Sequence, residues 1–264
     1  AYEARMKDEK KALKKAFNKE YLVSIPDTKN KWYQSQTATV QALQFGMVPE
    51  SDIENVVNGL VQDIVEAKGG HHSTGIHGNR YIYTVLSKYG KADLAYQILT
   101  TPDFPSQTYV MNSGFTTWPE RQFEWERMEG PSNSLNHPMH SGFAAYFYES
   151  LGGIKSSESN PGYKMFLVNP EFPSAITTTE VSVPTPYGTI KNEWEAANGV
   201  LRLNLHVPFN TKAKLVLTSS ELESLKINGQ SLENFKKQNT LEIIEGAVIL
   251  GSGKYEIEYS KTSL

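Results

Sequence analysis

The sequence predicts a multi-domain chain, α then β: a helical first part followed by an antiparallel β-sandwich. Three observations predict it. Up to about residue 152 the apolar residues recur at helical spacing, whereas beyond residue 160 they alternate with polar ones. Between the two regimes, SSESNPG (156–162) has the polar, turn-forming composition of a linker. The length of 264 residues suits two domains, at a soft prior of about 150 residues each. The expected domains are 1–155 and 161–264.

Tyr2, Met6, Leu13, Phe17 and Tyr21 place one apolar face on a first helix. Ile53, Val56, Val57, Leu60, Val61 and Ile64 form a broad stripe on another, with Ser51 and Glu54 spaced as a capping box and Gly69-Gly70 as its stop. Further helices are expected over 37–45, 81–89, 91–99 and 141–151, giving about six in pairs. Past the linker, VLRLNLHV (200–207), AKLVL and KYEIEY alternate as strands, and turn signals such as TPYG and NGQS separate them. Short strands at regular spacing over roughly a hundred residues predict a sandwich. Trp194, Leu201, Leu203 and Leu205 are its expected core.

Composition excludes several classes. Apolar content of 39% and charged content of 21% belong to a chain that folds. A balance of 26 basic against 29 acidic residues leaves no footprint for nucleic acid. No apolar run reaches the length of a membrane span, and the absence of cysteine removes disulfides, thiolate zinc sites and a Cys nucleophile. Walker, GxSxG and GxGxxG patterns are absent too, so no cofactor is expected.

Long loops between helices are uncommon unless they carry function. One such loop, GGHHSTGIHGN (69–79), clusters His71, His72 and His77 but holds no acidic residue to complete a metal site, so no metal is expected. The other, from Thr100 to about His140, gathers Trp118, Glu120, Arg121, Phe123, Glu124, Trp125, Glu126, Arg127, Glu129, His137 and His140. Aromatic faces for sugar rings and charged groups for hydroxyls are what a carbohydrate cleft requires. Glycosidic cleavage needs two carboxyl groups, one to protonate the leaving oxygen and one to activate water or attack. Spacing alone does not choose among these glutamates, which could equally be solvated or paired with Arg121 and Arg127.

Four stretches in register carry a resemblance: SQTATVQALQFGMVPE, the run from HHSTGIHGN to FTTWPE, SLNHPMHSG and PGYKMFLVNPEFP. Together they resemble the C-terminal half of bacterial α-L-rhamnosidases of glycoside hydrolase family 78. The resemblance implies a partial (α/α)6 barrel, the C-terminal half of a catalytic domain, followed by the sandwich. It also implies hydrolysis of terminal α-L-rhamnose with inversion.

On that resemblance, the TT-x-W-E motif puts the catalytic general base at Glu120, although here the tryptophan stands one position earlier with Pro119 interposed. The NH motif places a sugar-binding role on His137, and the HxTTG-like segment puts His71, Thr74 and Gly75 near the cleft. Trp118 and Trp125 are the aromatic substrate-binding candidates. The family's general acid lies in a segment with no counterpart here, so the partners implied are a rhamnose-containing glycan or glycoside and the missing N-terminal half of the same enzyme. A periplasmic or secreted location follows from the family habit of export. Two other readings stay open. One is a helical-barrel glucuronyl hydrolase or lyase, with Tyr81, Tyr83 or His77 as base; the other is a non-catalytic carbohydrate-binding protein using Trp118 and Trp125.

Overall fold

The structure, a computed structural model, describes residues 2–121, 134–157, 160–239, 241–244 and 246–261. It divides into two compact units, Ala1–Ala144 and Ala145–Leu264.

In the first unit, helix α1 (Tyr2–Tyr21) leads into a two-stranded ribbon, β1 (Val23–Ser24) and β2 (Lys31–Trp32). Helices α2 (Gln36–Gln44), α3 (Ile53–Gln62), α4 (Ile76–Asn79), α5 (Ile82–Lys88), α6 (Ala92–Thr100) and α7 (Gln107–Asn112) follow. The predicted stripe of α3 is the buried one: Val56, Val57 and Leu60 are all within 5% of full burial, and Ile64 continues it into a π-helical turn, Asp63–Ala67. It packs on α2, which also meets α4 and α5, and α5 packs on α6. Each fully buried Leu, Ile or Val contributes about 1.5–3 kcal/mol, so this shared core and not helix propensity holds such short helices. Serines start two of them. Ser35 accepts from the Ala38 amide (3.2 Å) and Ser106 from the Tyr109 amide (2.9 Å), satisfying N–H groups that a helix start leaves without partners.

Three features depart from expectation. The Ser51–Glu54 capping box does not form, because Pro49 opens a 3-10 turn over Glu50–Asp52 that takes Ser51 into its own geometry, and α3 begins at Ile53. The helix expected over 141–151 is two tighter and looser pieces, a 3-10 segment Pro138–Ala144 and a π turn Phe147–Leu151. Helix α1 buries no residue: Tyr2 and Leu13 of its apolar face are 77% and 63% exposed. Only its later turns are tied down, by Phe17 stacked on Tyr33 at 5.2 Å and by Asn18 donating to the Met47 carbonyl at 2.8 Å.

The second unit carries strands β3 (Ile154–Ser156), β4 (Met165–Val168), β5 (Thr178–Thr185), β6 (Gly188–Ala197), β7 (Val200–Val207), β8 (Lys212–Val216), β9 (Lys226–Ile227), β10 (Gln230–Ser231), β11 (Glu242–Ile244), β12 (Ala247–Leu250) and β13 (Gly253–Ser260). Two short helices, Ser219–Ser224 and Leu232–Gln238, lie between strands. One sheet runs β10-β9-β13-β7-β6-β5 and the other β11-β12-β8-β4-β3. The antiparallel expectation holds for the first sheet; in the second, β4 pairs parallel with β8. Alternation along β7 buries Leu201, Leu203, Leu205 and Val207 against Phe166 and Leu215 of the facing sheet, in one cluster that includes Trp194. Trp194 also finds the polar partner that a buried indole needs, donating to the Leu151 carbonyl at 2.7 Å.

Of the expected linker, 156–162, Ser156 instead ends β3, which pairs antiparallel with β4 inside this unit, and Ser157 bridges Asn160. Pro161 and Gly162 are turn residues here, and composition alone does not tell a tight turn from a linker. Ahead of it stands Gly153, at φ +66°, where an added Cβ would lie 2.6 Å from the Asn169 carbonyl carbon and the Pro170 Cα. Neither backbone can yield. Gly153→Ala is expected to destabilise this unit by about 3 kcal/mol. At Gly162, also at positive φ but with open space around it, the same change is expected to cost about 1 kcal/mol. Urea unfolding of both variants checks the difference; equal losses would contradict the steric argument.

Candidate active site

The two loops singled out by sequence meet in the first unit. In the second of them, residues 117–120 lie alongside 134–137: the Glu120 amide donates to the Ser134 carbonyl (2.8 Å), the His137 amide to the Trp118 carbonyl (2.7 Å), and the Thr117 hydroxyl to the Leu135 carbonyl. The ladder sets His137 against Trp118, two residues from Glu120. Glu120 is partly exposed, and among the described residues no guanidinium or ammonium pairs with its carboxylate. The Nε2 of His137 is buried and makes no hydrogen bond among the described residues. Trp118 is half-buried, its ring edge-on to Phe143 at 4.8 Å.

Behind this ladder sits His140, 3% exposed, whose Nδ1 lies 2.8 Å from the Pro119 carbonyl. A carbonyl can only accept, so Nδ1 carries the proton. Burial holds the His140 imidazole below its ordinary pKa, the Pro119 bond opposing it and nearby His137 adding to it. The His140 carbonyl accepts from Asn79 Nδ2 (2.6 Å), and Asn79 Oδ1 accepts from Gln107 Nε2 (2.8 Å) and from the Tyr83 hydroxyl (3.3 Å). Asn79 is fully buried at the end of the first loop. Gly78 before it allows the loop to press on α2, because a Cβ there would lie 2.8 Å from Thr37 Oγ1 and 2.9 Å from Thr74 Cβ.

The first loop is anchored from its other end by Gln36, which accepts from the Ser73 amide (2.7 Å) and donates to Asp63 (2.8 Å). Here His71 is half-buried with Nδ1 3.2 Å from the Pro105 carbonyl. Thr74 is buried, its hydroxyl 3.1 Å from Nδ1 of His72. His72 is 2% exposed, and burial first, then the neighbouring His140 and His71, lower its pKa to about 3. Edge-on ring contacts join the loops: His72 to Tyr83 (6.0 Å), Tyr83 to Phe143 (6.5 Å), Phe143 to Trp118.

The structure thus brings Glu120, Trp118 and His137 together and sets His71 and Thr74 on the adjoining loop. Trp125 lies outside the described residues, as do Phe123, Glu124, Glu126, Arg127 and Glu129. Among the alternative bases, Tyr83 is ill placed: it is fully buried, hydrogen-bonded to Asn79 and Gln107, and burial raises its pKa well above the ordinary range. Tyr81 is flanked by Phe45 and the Arg80 guanidinium, and His77 is exposed on α4. Among the described residues, no three His or acidic side chains gather to hold a metal ion, and no helix is long and apolar enough to cross a membrane. Sequence reasoning missed Asn79, Gln107 and the position of His140, since polar residues in loops read as solvated until a burial pattern is known.

A hollow of about 140 Å³ adjoins the ladder, lined by Met111, Phe115, Thr116, Thr117 and Trp118 among others. A larger one, about 770 Å³, lies on the outer face of the six-stranded sheet, and none of the predicted site residues lines it.

Short helices whose connecting loops carry a carboxylate and histidines, followed by a two-sheet β unit, define an α-then-β protein with its candidate polar site in the helical part. Residues 2–151 match the model of the bacterial alpha-L-rhamnosidase 6 hairpin glycosidase domain, and 153–231 that of the bacterial alpha-L-rhamnosidase C-terminal domain. The chain belongs to the bacterial α-L-rhamnosidase family. It is 73% identical over 262 residues to an alpha-L-rhamnosidase of Formosa agariphila, covering 99% of this chain and 28% of that protein. Among solved structures it resembles the alpha-L-rhamnosidase from Dictyoglumus thermophilum (TM-score 0.77, 27% identity, 98% of this chain and 28% of that one). It also resembles the Streptomyces avermitilis alpha-L-rhamnosidase complexed with L-rhamnose (TM-score 0.76, 25% identity, 97% of this chain and 24% of that one). The chain spans about a quarter of the length of these relatives. Its fold is the (α/α)6-barrel part and β-sandwich of those structures.

Proposed function

We propose that this chain supplies the water-activating side of an inverting α-L-rhamnosidase site. Glu120 is the general base, His137 contacts the sugar, and the general acid comes from residues outside this chain. The observation that carries the reading is the backbone ladder that sets Glu120, Trp118 and His137 together, within a domain belonging to this family. A carboxylate in partial contact with solvent and without a cationic partner among the described residues is free to accept a proton from water. The buried Nε2 of His137 suits a sugar hydroxyl, because a hydrogen bond made there gives a partner to a polar atom that has none among the described residues.

Inversion needs the acid and base about 6.5–9.5 Å apart, with water between the base and the anomeric carbon. On this reading the partner of the chain is the remaining barrel segment, and the substrate a glycan or glycoside ending in α-L-rhamnose. The test uses an aryl α-L-rhamnoside. The chain alone is expected to release no aryl alcohol above background. A chimera in which it replaces the corresponding segment of the Formosa agariphila relative is expected to turn over. Turnover by the chain alone would place both carboxyl groups within it, and an inactive, folded chimera would overturn the assignment.

A further inference from the structure

The geometry points to His140 as a positioning residue: its Nδ1–H clamps the Pro119 carbonyl and thereby fixes the direction of the adjoining Glu120 carboxylate. The inference rests on the reading of Glu120 given above. It comes from the contacts of His140, which needs no contact with substrate to act.

A base on a loop is only as well aimed as its backbone. The ladder to 134–137 holds Glu120 and Trp118 through their own amide and carbonyl, but it uses no group of the intervening Pro119, which has no N–H to donate. The one hydrogen-bonding group of Pro119 is its carbonyl, and His140 takes it at 2.8 Å from the opposite side. The peptide between Pro119 and Glu120 is thus held at both its carbonyl and its amide.

His140 is itself fixed. Its amide donates to the His137 carbonyl at 3.0 Å, its own carbonyl is held by Asn79, and Asn79 by Gln107 and Tyr83. A buried amide–phenol network therefore runs from α7 and α5 to the loop bearing the carboxylate. The Asn79 and Gln107 amides and the Tyr83 hydroxyl each donate within it, whereas Gln107 Oε1 and His140 Nε2 have no hydrogen-bond partner among the described residues, so it is the paired donors that hold His140 in place. The lowered pKa of the imidazole keeps it neutral with a single donor, so the bond to Pro119 sets its tautomer.

The test compares isosteres. Asparagine puts its amide N–H where Nδ1 lies, glutamine puts it nearer Nε2, and leucine offers none. In the active chimera, His140→Leu and His140→Gln are expected to lower kcat by 10- to 100-fold with KM changed less than about threefold, since displacing a catalytic group by an ångström costs that much. His140→Asn is expected to recover kcat to within about fivefold of the parent. A merely structural role would move all three together with stability. On the unmodified chain, ¹⁵N-edited NMR of the imidazoles reads the clamp independently of any activity, with His140 expected as the Nδ1–H tautomer. An Nε2–H tautomer, or equal kcat for the Asn and Leu variants, overturns the proposal. If the parent chimera is inactive, the glycosidase reading falls while the tautomer still decides whether the clamp exists; if His140→Leu does not fold, the Asn and Gln pair carries the kinetic comparison.

Discussion

Glu120→Gln in the active chimera is expected to lower kcat on an aryl α-L-rhamnoside by about a thousandfold, the middle of the range for removing a general base. The amide matches the carboxylate in shape and keeps one acceptor oxygen, so it can still orient water, but it cannot take the proton. Because the residue is held by its backbone amide to Ser134, with no side-chain ion pair to a described residue, the substitution should leave the ladder and the thermal midpoint unchanged. KM should move little, since a base that acts on water contributes mostly to the transition state. A variant keeping more than about a tenth of the parent kcat would put the base elsewhere, with Glu124 and Glu126 next to be replaced. A loss confined to KM would make Glu120 a binding residue and favour a carbohydrate-binding role over hydrolysis.

How far the sequence could lead here depended on which physical signal each part carries. Strand β7 and the stripe of α3 were readable because one buried face imposes a period, and Leu201, Leu203, Val56 and Leu60 lie where that period puts them. Trp194 was readable as core because a large ring amid alternating strands has few other places to go. The Ser51 capping box failed because Pro49 set the local geometry first, which is a competition between neighbours that a four-residue pattern does not contain.

The site was legible in composition and, through the family's motifs, in the identity of Glu120 and His137. Its support was not. Asn79, Gln107 and His140 are buried polar residues 28 or more positions apart, and only the packing of α4, α5 and α7 shows that their hydrogen-bonding groups complete one another. The same burial has a consequence for stability that no motif would suggest.

Lowering the pH from 7 to 5 is expected to destabilise the helical unit by about 2 kcal/mol through His72 alone. The folded protein keeps this histidine neutral down to a pKa of about 3, while in the unfolded chain it titrates near 6.5. Between those values the unfolded state binds the extra proton, so stability falls as pH falls, starting near 6.5 and levelling only below about 3. The full difference is about 5 kcal/mol, a large part of the stability of an ordinary domain. His140, lowered in the same direction, adds to the trend. Denaturant unfolding at pH 7, 6 and 5 measures it; restricting the range to pH 5 and above keeps most carboxylates ionised in both states. His72→Gln retains a polar group toward Thr74 but cannot titrate, so its stability should depend on pH less than the parent's by close to one proton over the lower part of that range. Parallel pH profiles for the two proteins would mean that His72 is hydrated or charged in the folded state, and that the packing of the first loop against Tyr83 is looser than its 2% exposure indicates.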